Sequence, residues 1–249
     1  MPQAPQVALC SRPLSGWRGG HPRPDTQVSS CNLLGDILNS SADVERDEAA
    51  AAGAAVGGSA AAIGEALRLY ERSIHEGYER ALRVSARDLR AQIGAADAWL
   101  SVARLQLQLS PGDGASAGAT VPWSQSLARA RALYAALLGV PAAQWVAQGL
   151  ATHECAEARY NYTCALALHC GGGGGGAEDV CAMLSSVLED GDARAHEVLA
   201  DEDFAHLAGC DWWAPLVVAA AEAAAAAGGT EAEASMLLEG DVDDWEERD

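Results

Sequence analysis

Apolar residues recur at helical spacing along most of the chain. Over residues 62–92, Ile63, Leu67, Tyr70, Ile74, Tyr78, Ala81, Leu82 and Leu89 fall on one side of a wheel drawn at about 100° per residue. That spacing predicts one amphipathic helix with a buried face. Similar rows mark residues 95–109, 124–138, 142–169, 178–189 and 213–227, with Pro and Gly clusters between them. Residues 105–109, Leu-Gln-Leu-Gln-Leu, alternate as a strand would. They also continue the helical row Trp99, Val102, Leu105, Leu109, and no partner strand is in sight, so helix is the expectation. The predicted class is all-α.

The helical segments carry a degenerate repeat. Leu34-Gly35 with Leu38 precedes Ala66, Tyr70 and Ser73; Trp99 with Val102-Ala103 precedes Ala130, Tyr134 and Leu137; Tyr160-Asn161-Tyr162-Thr163-Cys164-Ala165 precedes Val180, Leu184, Val187 and Leu188. These three sets resemble the helix A and helix B motifs of the tetratricopeptide (TPR) family, W-x2-L-G-x2-Y and A-x3-F-x2-A. Residues 198–207 with Trp212-Trp213 are similar to the segment that closes such arrays. The small-residue positions depart from the family, holding Thr163, Val180 and Leu137, and each pair is spaced more widely than the family's.

The resemblance implies a stack of antiparallel helix pairs over residues 31–228. Long low-complexity loops are expected at about 40–60, 110–122 and 170–176, with disordered ends. It also implies a concave groove lined by helix A residues, for which the candidates are Trp99, Arg104, Arg159, Tyr160 and Asn161. A stack of this kind acts as a non-catalytic scaffold or adaptor for proteins. The family's clamp for C-terminal carboxylates draws on lysine, and this chain has none.

Composition narrows the chemistry. The chain has 249 residues, 49% of them hydrophobic, and a formal net charge of −19. Alanine, with 54 residues, dominates the apolar fraction, which suits helices that pack closely. All 16 basic residues are arginine. Without lysine there is no Walker A loop, no kinase-type ATP lysine and no pyridoxal Schiff base. Residues 1–177 hold 15 acids against 14 Arg, whereas residues 178–249 hold 20 acids against 2 Arg. That second part would repel a phosphate backbone and suits a basic protein partner. Acids that simply solvate alanine-rich helices are the plainer reading of the same charge.

The seven cysteines form an odd set with no C-x-x-C pair, and no secretory apolar stretch precedes them. An intracellular, reducing location is expected, the cytoplasm first, and the sequons at Asn39 and Asn161 are then not glycosylated. Residues 1–24 carry Arg12, Arg18 and Arg23 and no acid, which is also the composition of an organellar transit peptide. No run is long and apolar enough to span a bilayer, so no membrane partner is expected.

Three further features invite chemical readings. Gly114-Ala-Ser116-Ala-Gly118 fits the G-x-S-x-G elbow of serine hydrolases. That elbow needs a strand before the serine, and here the surroundings are a Gly/Ala/Ser loop followed by Thr120-Val121-Pro122. His153, Cys155, Cys164, His169, Cys170 and Cys181 lack the short knuckle spacing of a zinc site and read as core cysteines on helices. No metal or cofactor is expected.

Arg68, Arg72, Arg80, Arg83, Arg87 and Arg90 share a helix face with Glu65, Glu76 and Glu79, which leaves Arg87 and Arg90 uncompensated. The final segment, 229–249, is an acidic tail in which Trp245 stands among Asp243, Asp244, Glu246 and Glu247. An aromatic anchor flanked by steering charges is a binding element for a partner, or for Arg87 and Arg90 of the same chain. The functional expectation is protein binding, with a dedicated assembly chaperone for a basic client as the alternative.

Overall fold

Pro24 and Asp25 open the first helix as helix physics favours. Proline is preorganised for the first turn, and a carboxylate there complements the helix dipole. This helix, α1 (Pro24–Ala51), begins the computed structural model, which describes residues 24–51, 58–109 and 122–226. It is followed by α2 (Gly58–Arg72), a π-helical turn (Ser73–Tyr78), α3 (Glu79–Val84), α4 (Leu89–Leu109), α5 (Trp123–Leu138) and α6 (Ala142–Ala147). Then come α7 (Thr152–His169), a second π turn (Cys170–Gly174), α8 (Ala177–Glu189), α9 (Ala195–Ala200), a 3-10 turn (Glu202–Leu207) and α10 (Trp213–Ala226). Every regular element among the described residues is helical.

Helices adjacent in sequence pack on one another. α1 lies on α2 and the first π turn, α4 on α5, and α7 on α8; between these pairs α2 contacts α4 and α5 contacts α7. One apolar cluster runs through them, from Leu38 and Ala42 through Trp99, Tyr134 and Leu184 to Trp213 and Val217.

The single helix expected over 62–92 is widened at one point and broken at another. At Ser73–Tyr78 the chain widens into a π turn, which sets Gly77 directly against α1. A Cβ on Gly77 would lie 2.5 Å from the Gly35 Cα, so only glycine permits this approach. The Tyr78 ring fills the slot beside it between Gly35 and Gly94. At Ser85 the backbone turns extended, and Asp88 starts a new helix by accepting the Ala91 N–H at 2.8 Å. Leu89 therefore belongs to α4.

The helix expected over 142–169 is also two helices. They are separated at Gly149, whose φ of 73° is open to glycine and strained for other residues.

The first expected loop is largely helix, because α1 continues to Ala51 and begins ahead of residue 31. Its second half has few large apolar residues, yet Ala42 is fully buried and the Tyr70 hydroxyl donates to Asp43 at 2.5 Å. Tertiary contact thus supports a stretch that reads as polar. The Gly171–Gly176 run is an exposed turn that continues α7 in a π-helical turn: a Cβ at Gly172 would lie 2.5 Å from the Trp123 ring, and Gly173, Gly175 and Gly176 all have positive φ. The loop expected at 110–122 lies outside the described residues except for Pro122, which precedes α5.

Candidate partner-binding surface

The residues expected to line a groove are held by partners within the fold. Trp99 is 4% exposed, with the Arg129 guanidinium 4.5 Å from its ring centroid and His75 edge-on at 6.0 Å. Arg104 of α4 donates to Asp203 beyond α9. Arg159 of α7 pairs with Asp190 at 2.7 Å and Asp192 at 2.5 Å, and donates to Ser186 at 2.7 Å. The Tyr160 hydroxyl donates to Asp201 at 2.8 Å, and the Asn161 amide donates to Asp97 at 3.0 Å. These side chains tie α7 to α4, to α8 and to the turn after α9.

A rule joins these contacts that sequence reasoning missed. Of the five tyrosines, four hydroxyls donate to aspartate carboxylates: Tyr70 to Asp43, Tyr78 to Asp36, Tyr134 to Asp97 and Tyr160 to Asp201. Each pair joins residues distant in sequence, so each fixes one element on another. Burial and the neighbouring carboxylate push all four phenols above their usual range. The available signal was an acid inside an apolar row, as with Asp97 among Ala95, Ala96, Ala98 and Trp99.

Asp97 has the most perturbed carboxyl of this group. Burial raises it to about 6, against the pull of hydrogen bonds from Tyr134 and Asn161. Burial also raises Asp203, with Arg104 only partly offsetting it. Burial works against the Arg104 cation in turn, but Asp203 outweighs it and the guanidinium stays firmly charged. Burial likewise raises the Cys164 thiol well above its normal value, which keeps it protonated.

Cys164, Asp201 and Asp203 place their ligand atoms within 4.8 Å of one another. Arg104 already supplies the positive charge there. Apart from Cys164, the cysteines and histidines weighed as zinc ligands join no such group among the described residues. Ser116, Asp243, Asp244 and Trp245 lie outside the described residues.

Arg87 and Arg90 reach the surface together. They flank a groove of about 720 Å³ between α1 and the Ser85–Asp88 turn, also lined by Asp25, Asn32, Leu33 and Asp36. The Arg90 guanidinium stands 3.5 Å from Glu154. Gln148 holds the turn from behind, accepting the Leu89 N–H and donating to the Arg87 carbonyl, both at 2.9 Å. This groove therefore has a fixed wall.

No family model, no curated protein and no solved structure matches the chain. Among the described residues, no helix is long and apolar enough to cross a membrane.

Proposed function

We propose that the chain is a non-catalytic protein-binding module, a TPR-like stack of antiparallel helix pairs that serves as scaffold or adaptor for a basic partner. The observation that carries this reading is the order of packing: α1 on α2, α4 on α5, α7 on α8, with α2 on α4 and α5 on α7 linking the pairs. Neighbour-to-neighbour packing of this kind is how a helical repeat buries a continuous core. The extra short helix α6 and the two π turns are additions to that scheme.

The charge gives the partner its sign. With 20 acids against 2 Arg in residues 178–249, long-range attraction favours basic proteins and disfavours nucleic acid. The same excess favours the second reading, an assembly chaperone that shields a basic client until its complex forms.

Affinity capture with the full chain at about 50 mM and about 300 mM salt tests the reading, because screening shortens the reach of surface charge. The expected result is a small set of basic proteins that elute at the higher salt and rebind in direct titration. An acidic or salt-insensitive set would overturn it. A client released once its own complex assembles would mark a chaperone.

A further inference from the structure

The groove between α1 and the Ser85–Asp88 turn carries an unanswered polar group. Asn32 is 6% exposed; its amide donates to Asp88 Oδ1 at 3.0 Å, while its own Oδ1 has no hydrogen-bond partner. A buried acceptor left without a donor is costly, and a ligand that brings an N–H would recover that cost. Asn32 lines the groove, and since its Oδ1 is closed to solvent, a donor reaches it only as the side chains over it move aside.

The walls define the donor's charge. Asp25 and Asp36 are exposed on α1 and both line the groove, as does Asp88. Arg87 and Arg90 oppose them, but Arg90 stands near Glu154. The balance is acidic. Asp25 and Asp36 lie three turns apart along α1, a rise of about 16 Å, so one cation does not span them. Two basic residues at that separation do.

An apolar ridge leaves the same groove. Leu33 at its edge is 60% exposed, Ile37 one turn on is 55% exposed, and Val44 continues the row at 56%. Large aliphatic side chains aligned at this exposure suit an amphipathic partner.

We infer that this groove and ridge dock a basic amphipathic helix of a partner protein, with an arginine or lysine beside Asp36, a second cation at Asp25, and apolar residues laid on Leu33 and Ile37. The inference rests on the protein-binding reading above and assigns that reading a surface. It makes Arg87 unfavourable to binding, the reverse of an acidic segment seated on Arg87 and Arg90.

The test uses the full chain and a fluorescein-labelled model helix with leucine on one face and arginine on the other, followed by anisotropy at about 50 mM salt. A control helix carries glutamate for arginine. The expected result is binding of the arginine helix, weakened about tenfold by Leu33→Ser and several-fold by Asp25→Asn, and tightened by Arg87→Ser. All three positions are exposed, and circular dichroism of each variant verifies the fold. Preference for the glutamate helix, or weakening by Arg87→Ser, would overturn the inference by making the occupant acidic. Equal binding of the arginine helix by all variants would overturn the site and leave the basic-partner reading standing. No binding of the arginine helix by the unaltered chain would sink both.

Discussion

The packing of α1 on the first π turn and the packing of α7 on α8 close by different physics. In the first, Gly35, Gly77 and Gly94 let backbone meet backbone and give the Tyr78 ring a slot. In the second, Arg159 reaches across from α7 to Asp190 and Asp192, while Tyr160 and Arg104 engage Asp201 and Asp203. Shape sets the approach in the first, with the Tyr78–Asp36 hydrogen bond beside it, and ion pairs hold the second. Such pairs respond to different insults, because steric fit is indifferent to protons and salt whereas partly buried ion pairs are not.

The largest expected effect lies at the charged end. Arg104→Ala removes the cation beside Asp203 and leaves a nearly buried carboxylate unpaired, a loss of about 3 kcal/mol in urea unfolding. Arg104→Met combined with Asp203→Leu recovers most of it, since an apolar replacement of both partners leaves no stranded charge. If the double variant were as unstable as the single one, packing rather than charge would explain the contact.

At the steric end, Gly77→Ala costs about 1–3 kcal/mol, because the new methyl would force α1 and the π turn apart. Chemical denaturation should show the same loss at low and high salt. A loss that changed with salt would erase the contrast between the two ends.

Asp97 joins the two halves and titrates within reach of ordinary buffers. Its carboxyl ionises near pH 6 in the fold and near 3.9 in the unfolded chain, so its ionised form opposes folding. Below about pH 4 both states hold the proton and there is no penalty. Between about 4 and 6 stability falls, by on the order of 2 kcal/mol, and above that range the penalty is constant. Melting of Asp97→Asn across this range should lose that component. A profile parallel to the parent's would assign the slope to other groups.

The smallest effect is the control for Gly77. Gly64 lies within α2 with nothing near the position a Cβ would take, so Gly64→Ala should stabilise by up to about 1 kcal/mol through helix propensity alone. A loss at Gly64 would show that glycine substitutions in this chain report something other than close contact.

Helix positions were legible where periodicity and burial coincide. α5, α8 and α10 lie within a residue of the stretches set by rows such as Leu127, Ala130, Tyr134 and Leu137. Helix breaks were not, because the apolar row of 62–92 passes unchanged through Ser85, where one helix ends, and Asp88, whose carboxylate caps the next. The second half of α1 was missed for the opposite reason: its anchors are Ala42 and Asp43, and the partner that makes Asp43 an anchor is Tyr70 on another helix. The site suffered likewise. Arg104, Arg159, Tyr160 and Asn161 were conspicuous polar residues on helices, but spacing along one helix does not reveal an aspartate waiting on the next. Leu33 and Asn32 drew no notice, since one reads as core and the other as surface, and the fold reverses them.

The four tyrosine–aspartate pairs also give the molecule a built-in optical reporter. Phenolate absorbs at longer wavelength than the neutral phenol, and these four hydroxyls are held protonated beyond the alkaline range where a free phenol ionises. In an alkaline titration their signal should arrive with unfolding, as one cooperative step. The ultraviolet spectrum of the unlabelled protein would then follow the breaking of the joints between its helices.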